Sequence, residues 1–148
     1  GDADRAKEFR KAMDLLASLR LCSNVPGQWA VQTALGGFQS IRDLVQPGGR
    51  LHQSRQEVID AVDASANLSL VPPMGAMSAF IRLAAPIAEK LDDQQFALEL
   101  LETRHVLVAP GSSFNTQYRD HFRITTLPDP DQIGEVFARV DDLLAQHA

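Results

Sequence analysis

Cysteine is nearly absent: Cys22 is the one thiol in 148 residues. That excludes an internal disulfide framework and a cysteine-based metal cluster. Basic charge is also in short supply. Fourteen Lys and Arg stand against nineteen Asp and Glu, for a net charge of −5. No basic stretch stands out, so a nucleic-acid partner is not expected. Apolar runs fall well short of the roughly 20 residues that a membrane span needs. Residues 1–10 are charged and lack the apolar core of a secretory signal. The simplest setting is reducing and cytoplasmic, without a membrane partner. His52, His105, His121 and His147 show no metal-ligand spacing to one another or to Cys22, so no metal site is expected. Gly48-Gly49 and Gly111-Ser112-Ser113 lack the Gly-Lys context of a phosphate loop. Cys22, between Leu21 and a loop, reads as a small buried hydrophobe rather than a reactive thiol.

Hydrophobic residues make up 45% and charged residues 22% of the chain, enough for one domain with a real core. Ala6, Phe9, Met13 and Leu16 recur at helical spacing and predict a first helix. Pro26 and Gly27 predict a loop over 23–27. A second helix is predicted over 28–45, weakened by Gly36-Gly37, and a third over 50–63. Strands follow at 68–71 and 76–83, the second with Met77, Ala79, Ile81 and Leu83 on one face. Residues 92–103 predict a helix that opens with two acids. Strands are predicted at 106–109 and 121–127. In the latter, Phe122, Ile124 and Thr126 face one way, and His121, Arg123 and Thr125 the other. Ile133, Val136, Phe137, Val140, Leu143 and Leu144 make the last helix, with Asp129 as its cap and Pro130 in its first turn. The fold class is therefore α+β: a helical arm followed by a small ββαββα-like domain. Asp92-Asp93 and Asp141-Asp142 read as helix starts or solvated faces.

Arg123 carries two readings. It is either a solvated arginine on an open sheet face, or a guanidinium that a rigid strand aims at a carboxylate through two parallel hydrogen bonds. The neighbouring 111–115 loop could bring backbone groups to the same place.

An ordered set of segments adds to this. Arg20-Leu-Cys-Ser-Asn-Val-Pro26, Gln32-Thr-Ala-Leu-Gly-Gly37, Pro47-Gly-Gly-Arg-Leu51, Pro73-Met-Gly-Ala76, Val108-Ala-Pro-Gly-Ser-Ser-Phe114 and His121-Phe-Arg-Ile124 resemble, in that order, the carboxyl-terminal part of alanine aminotransferase-like enzymes. These are fold type I transaminases that depend on pyridoxal phosphate. The resemblance implies that residues 1–47 are an arm belonging to, or packing on, a large cofactor domain absent from this chain. It implies that 48–148 are the small carboxyl-terminal domain. Arg123 would then grip the substrate's α-carboxylate, Gly75 would border the substrate pocket, and Asn24 would lie near an active site shared in a homodimer. Substrates would be an amino acid such as alanine or glutamate and a 2-oxo acid. Relatives often carry an aromatic where this chain has Met77-Ser78, which bears on side-chain preference. Lys7, Lys11 and Lys90 are the only lysines, and none has the setting of the family's Schiff-base lysine. The chain alone is thus expected to hold no catalytic residue, to bind no pyridoxal phosphate covalently and to be inactive. The rival reading is a free-standing, non-catalytic α+β module that binds a small ligand or a protein.

Overall fold

The computed structural model describes residues 3–147. The chain divides into two compact units, 1–40 and 41–148.

The first unit holds α1 (Ala3–Ser18) and α2 (Val25–Gly36). The loop expected over 23–27 is in fact the start of α2. Asn24 caps it, its Oδ1 accepting from the Gly27 N–H at 2.8 Å, and Pro26 sits in the first turn, where its missing N–H costs nothing. The single helix expected over 28–45 is two helices. The chain breaks after Gly36, where a Cβ at Gly37 would stand 2.5 Å from the Thr33 carbonyl oxygen. It restarts as α3 (Ser40–Val45). Neither α1 nor α2 has a buried residue. Phe9, Leu16, Trp29 and Leu35 are all exposed. Cys22 is exposed as well, against the expectation of a buried hydrophobe: the connection it occupies packs under nothing within the described residues.

The second unit is a two-layer α/β arrangement. Its elements after α3 are α4 (Arg50–Ala64), β1 (Leu68–Leu70), β2 (Ser78–Leu83), α5 (Ala85–Ala88), α6 (Asp93–Arg104), β3 (Ala109–Pro110), a 3-10 turn (Gly111–Phe114), β4 (His121–Thr125) and α7 (Pro130–Leu144). The sheet is antiparallel, in the order β1-β2-β4-β3. The class is α+β, as the residue pattern implies. The short α5 and the 3-10 turn interrupt a plain ββαββα order.

The inner sheet face buries Ala79, Ile81, Leu83 and Phe122. Against it lie Val58 and Val62 of α4, Phe96 and Leu100 of α6, and Ile133, Phe137, Val140 and Leu144 of α7. The α7 residues follow the i, i+4, i+7, i+11 rule of one apolar stripe. Each such side chain contributes about 1.5–3 kcal/mol on burial. Asp92 opens α6 with a capping box shared with Gln95, and His105 ends it in the left-handed region at φ 58°.

Three strand expectations change. β2 begins at Ser78, because the 75–77 segment bends and Ala76 takes φ 63°; Met77 is exposed rather than on the core face. The segment 106–109 keeps the inward alternation of Val106 and Val108, yet only Ala109 and Pro110 pair with β4. The antiparallel register would set Val108 opposite Ile124 and Leu107 opposite Thr125, but the ladder stops at Ala109. Asp129 stands at the α7 N-cap without a side-chain cap bond.

Candidate functional site

The outer sheet face is polar and aromatic. Phe80 pairs across the ladder with Arg123, and Arg82 with His121. Residues opposite in an antiparallel pair point the same way, so these four project from the face that the helices do not cover. The loop between β3 and β4 folds back over it. A Cβ on Gly111 would lie 2.7 Å from the His121 carbonyl oxygen, so only glycine allows this approach. Phe114 then reaches the site. Its ring meets Phe80 edge-on, with centroids 6.2 Å apart. The Arg123 guanidinium carbon lies 4.7 Å from the Phe114 ring centroid, a cation–π contact.

Arg123 differs from the arginines around it. Arg50, Arg82, Arg104 and Arg139 each pair with an acid. Among the described residues Arg123 makes neither an ion pair nor a side-chain hydrogen bond. A strand and an aromatic ring hold it, while its donors stay open. It also borders a groove of about 520 Å³ between β4, the 105–109 segment and α7, lined by Leu107, Ile124, Ile133 and Phe137 among others and not by Phe80 or Phe114.

Gly75 lies in the exposed bend before β2, and its missing Cβ would meet nothing within 4 Å. Arg55 of α4 steadies this bend by donating from Nε to the Pro73 carbonyl at 2.5 Å. Ser78 pairs with Thr125, which puts Gly75 beyond the Thr125 end of β4. Gly75 is not among the residues lining the groove beside Arg123. Asn24 belongs to the first unit and acts there as the α2 cap.

The residue pattern did not reveal three features. Phe114 is the floor under Arg123, where only backbone groups were expected from its loop. Asp93 opens α6, as expected of a helix start, but it is fully buried rather than solvated. Asp120 bridges Arg82 at 2.7 Å and His121 Nδ1 at 2.7 Å. His121 in turn stacks on Phe80 with centroids 4.8 Å apart. A clue existed in Asp120-His121, but the cross-strand neighbour Arg82 depends on a register that local pattern does not give.

Burial opposes the Asp120 charge. The hydrogen bonds from Arg82 and His121 and their positive charges outweigh it, and the carboxyl is held below the ordinary value of 3.8. A lowered folded value stabilises above the unfolded one and is lost as pH falls through the folded one. Asp120→Asn should therefore destabilise the chain modestly near neutral pH. The gap from wild type should close as the pH drops below 3.8. Urea midpoints across that range check this; a gap that widens in acid would contradict it.

The second unit is thus an α+β layer with helices on one sheet face and, on the other, an arginine over an aromatic ring with no acid partner among the described residues. A match to the family "Aminotransferase class I and II" runs over residues 5–140. The chain belongs to that family. It is 40% identical over 147 residues to the glutamate-pyruvate aminotransferase AlaA of Haemophilus influenzae, covering 99% of this chain and 36% of that protein. It is likewise 40% identical to an alanine aminotransferase of Mycobacterium tuberculosis, again over 99% of this chain but 34% of the relative. Among solved structures, an aminotransferase from Escherichia coli superposes with a TM-score of 0.81 at 39% identity, over 100% of this chain and 37% of that one. An alanine aminotransferase from Pyrococcus furiosus gives 0.74 at 27% identity, over 97% and 36%. The chain thus spans about a third of the length of the relatives it matches.

Family membership brings pyridoxal phosphate into question. The groove beside Arg123 is lined by no lysine. Lys90 donates from Nζ to the His147 carbonyl at 2.8 Å, and Lys7 and Lys11 lie on α1. The described residues therefore do not fit covalent attachment of the cofactor at this site.

Proposed function

We propose that this chain is the small-domain portion of a pyridoxal-phosphate-dependent aminotransferase of the alanine/glutamate type, with 48–148 as the small domain and 1–47 as the arm to the cofactor domain. Arg123 holds the α-carboxylate of the amino acid and of the 2-oxo acid. The observation that carries this is an arginine fixed on β4 over Phe114 with no acid partner among the described residues. Two relatives whose names specify alanine or glutamate–pyruvate transfer favour that substrate class. Gly75, in the exposed bend beyond the end of β4, borders the substrate pocket in this reading, and its lack of a side chain leaves room there for substrate or a facing loop. The exposed apolar side chains of α1 and α2, Phe9, Leu16 and Trp29 among them, are the surface that the cofactor domain covers. The Asn24 turn reaches the neighbouring active site of a cytoplasmic homodimer. The cofactor supplies the electron sink for amino transfer. This chain's residues bind and orient, and alone they are inactive.

The whole enzyme containing this chain should release pyruvate from alanine in the presence of 2-oxoglutarate. The 148-residue chain treated with pyridoxal phosphate and borohydride should form no stoichiometric adduct on Lys7, Lys11 or Lys90. A whole enzyme that moves no amino group from alanine or glutamate, or a single-site adduct on the chain, would refute the assignment.

A further inference from the structure

One acid in the chain is far more buried than a helix start requires. Asp93, the first residue of α6, is fully buried. It does not provide the cap, because Asp92 already accepts from the Gln94 and Gln95 N–H groups. Asp93 Oδ2 accepts instead from the Ser112 backbone N–H at 2.6 Å. Its Oδ1 is buried with no hydrogen-bond partner among the described residues. Leaving such an oxygen unpaired is costly, so the position is not explained by helix stability alone. The Asp93 backbone N–H donates to the Arg119 carbonyl at 2.8 Å. One residue therefore ties both ends of the 112–119 segment to α6. Gln94 adds a side-chain bond to Ser112 Oγ at 3.1 Å. Between those ties lies Phe114, whose ring sits against the Arg123 guanidinium.

We propose that Asp93 is a positioning residue, latching the 111–119 loop to α6 so that Phe114 forms the platform that orients Arg123 toward a substrate carboxylate. This rests on the reading of Arg123 given under the proposed function. The chain of contact is continuous: Asp93 to Ser112, two residues along to Phe114, and across the ring face to Arg123. A guanidinium on a long side chain has many rotamers. A fixed ring face beneath it restricts them without consuming a donor, leaving the planar edge for a bidentate partner. Small misplacements of such a group cost rate steeply.

The latch is tested first without activity. In the 148-residue chain, Asp93→Ala should speed hydrogen exchange at the Ser112 amide by about 10-fold or more, with the Leu100 amide inside α6 unchanged. In the whole enzyme, Asp93→Ala and Phe114→Leu should each raise KM for an amino acid roughly 10- to 100-fold. kcat should fall less, and an amine lacking the carboxylate should be unaffected. In an Arg123→Gln background neither change should add further loss. Phe114→Leu keeps the apolar volume, so it serves if Asp93→Ala fails to fold. If Arg123→Gln impairs amino acids selectively but both other variants leave KM unchanged, or impair both substrates alike, the positioning role is overturned and the Arg123 reading stands. If Arg123→Gln shows no carboxylate-selective loss, both fall.

Discussion

Arg123→Lys in the whole enzyme should keep the fold and lower kcat/KM for amino acids by roughly 30- to 5,000-fold, the equivalent of about 2–5 kcal/mol for a desolvated charged pair. Fold should survive because the side chain lies on the outer sheet face, while its strand neighbour Phe122 provides the core contact. Charge survives as well, so the loss reports geometry. Lysine offers a point charge on a flexible stem, whereas guanidinium offers two parallel donors in one plane. Lysine also gives up the flat stacking on the Phe114 ring. The control is an amine without an α-carboxylate, which never used the contact and should lose little. Equal loss on both substrates, or none on either, would make Arg123 a scaffold or surface residue. Since the effect belongs to binding in the transition state and in the ground state, KM and kcat should be separated by single-turnover measurements.

How much of this could be read before the structure depends on the range of the contact involved. The α7 stripe is local: Ile133, Phe137, Val140 and Leu144 declare themselves by spacing alone, and all are buried. The alternation of β4 is equally local, and it correctly put Phe122 inside and Arg123 outside. The break at Gly37 was harder, because two glycines in a helical run can be tolerated or not. The break brings Gly37 to a close approach on the Thr33 carbonyl that a Cβ would block, a one-turn contact that a pattern of residue types does not show. The start of α2 was missed for a similar reason. Pro26 signals a loop or a first helical turn, and the Asn24 cap bond selects the second. The rest of the site depends on contacts across long stretches of sequence. Asp93 meets Ser112, Arg82 meets Asp120, and Phe80 meets Phe114. These pairs depend on the register of β2 on β4 or on the fold-back of the 111–119 loop, which no periodicity encodes. The family resemblance singles out Arg123 and Gly75 as expected site residues without those contacts, but it gives no hint of the ring beneath the guanidinium.

Phe122→Ala should be the most damaging substitution to stability, costing about 3–5 kcal/mol. Phe122 is fully buried on β4, pairing with Ile81. Its ring lies against Phe96 of α6, with centroids 4.8 Å apart and a tilt of 45°. Truncation would open a cavity at the junction of sheet and helix that neither neighbour can fill, because both are held by strand and capped-helix backbone. Domains of this size are typically stable by about 5–15 kcal/mol, so the loss removes a large share of the whole. The comparison that isolates the mechanism is Phe80→Ala. Phe80 is the same residue type, on the adjoining strand and one ladder step away from the Ile81–Phe122 pair, but it faces outward and is only half-buried. It should cost far less, because much of its surface is already in water. Urea unfolding of the two variants, followed by circular dichroism, gives the answer directly. Midpoints lowered by similar amounts would mean that the outer face is packed as tightly as the inner one. The sheet would then have no open side to offer a substrate.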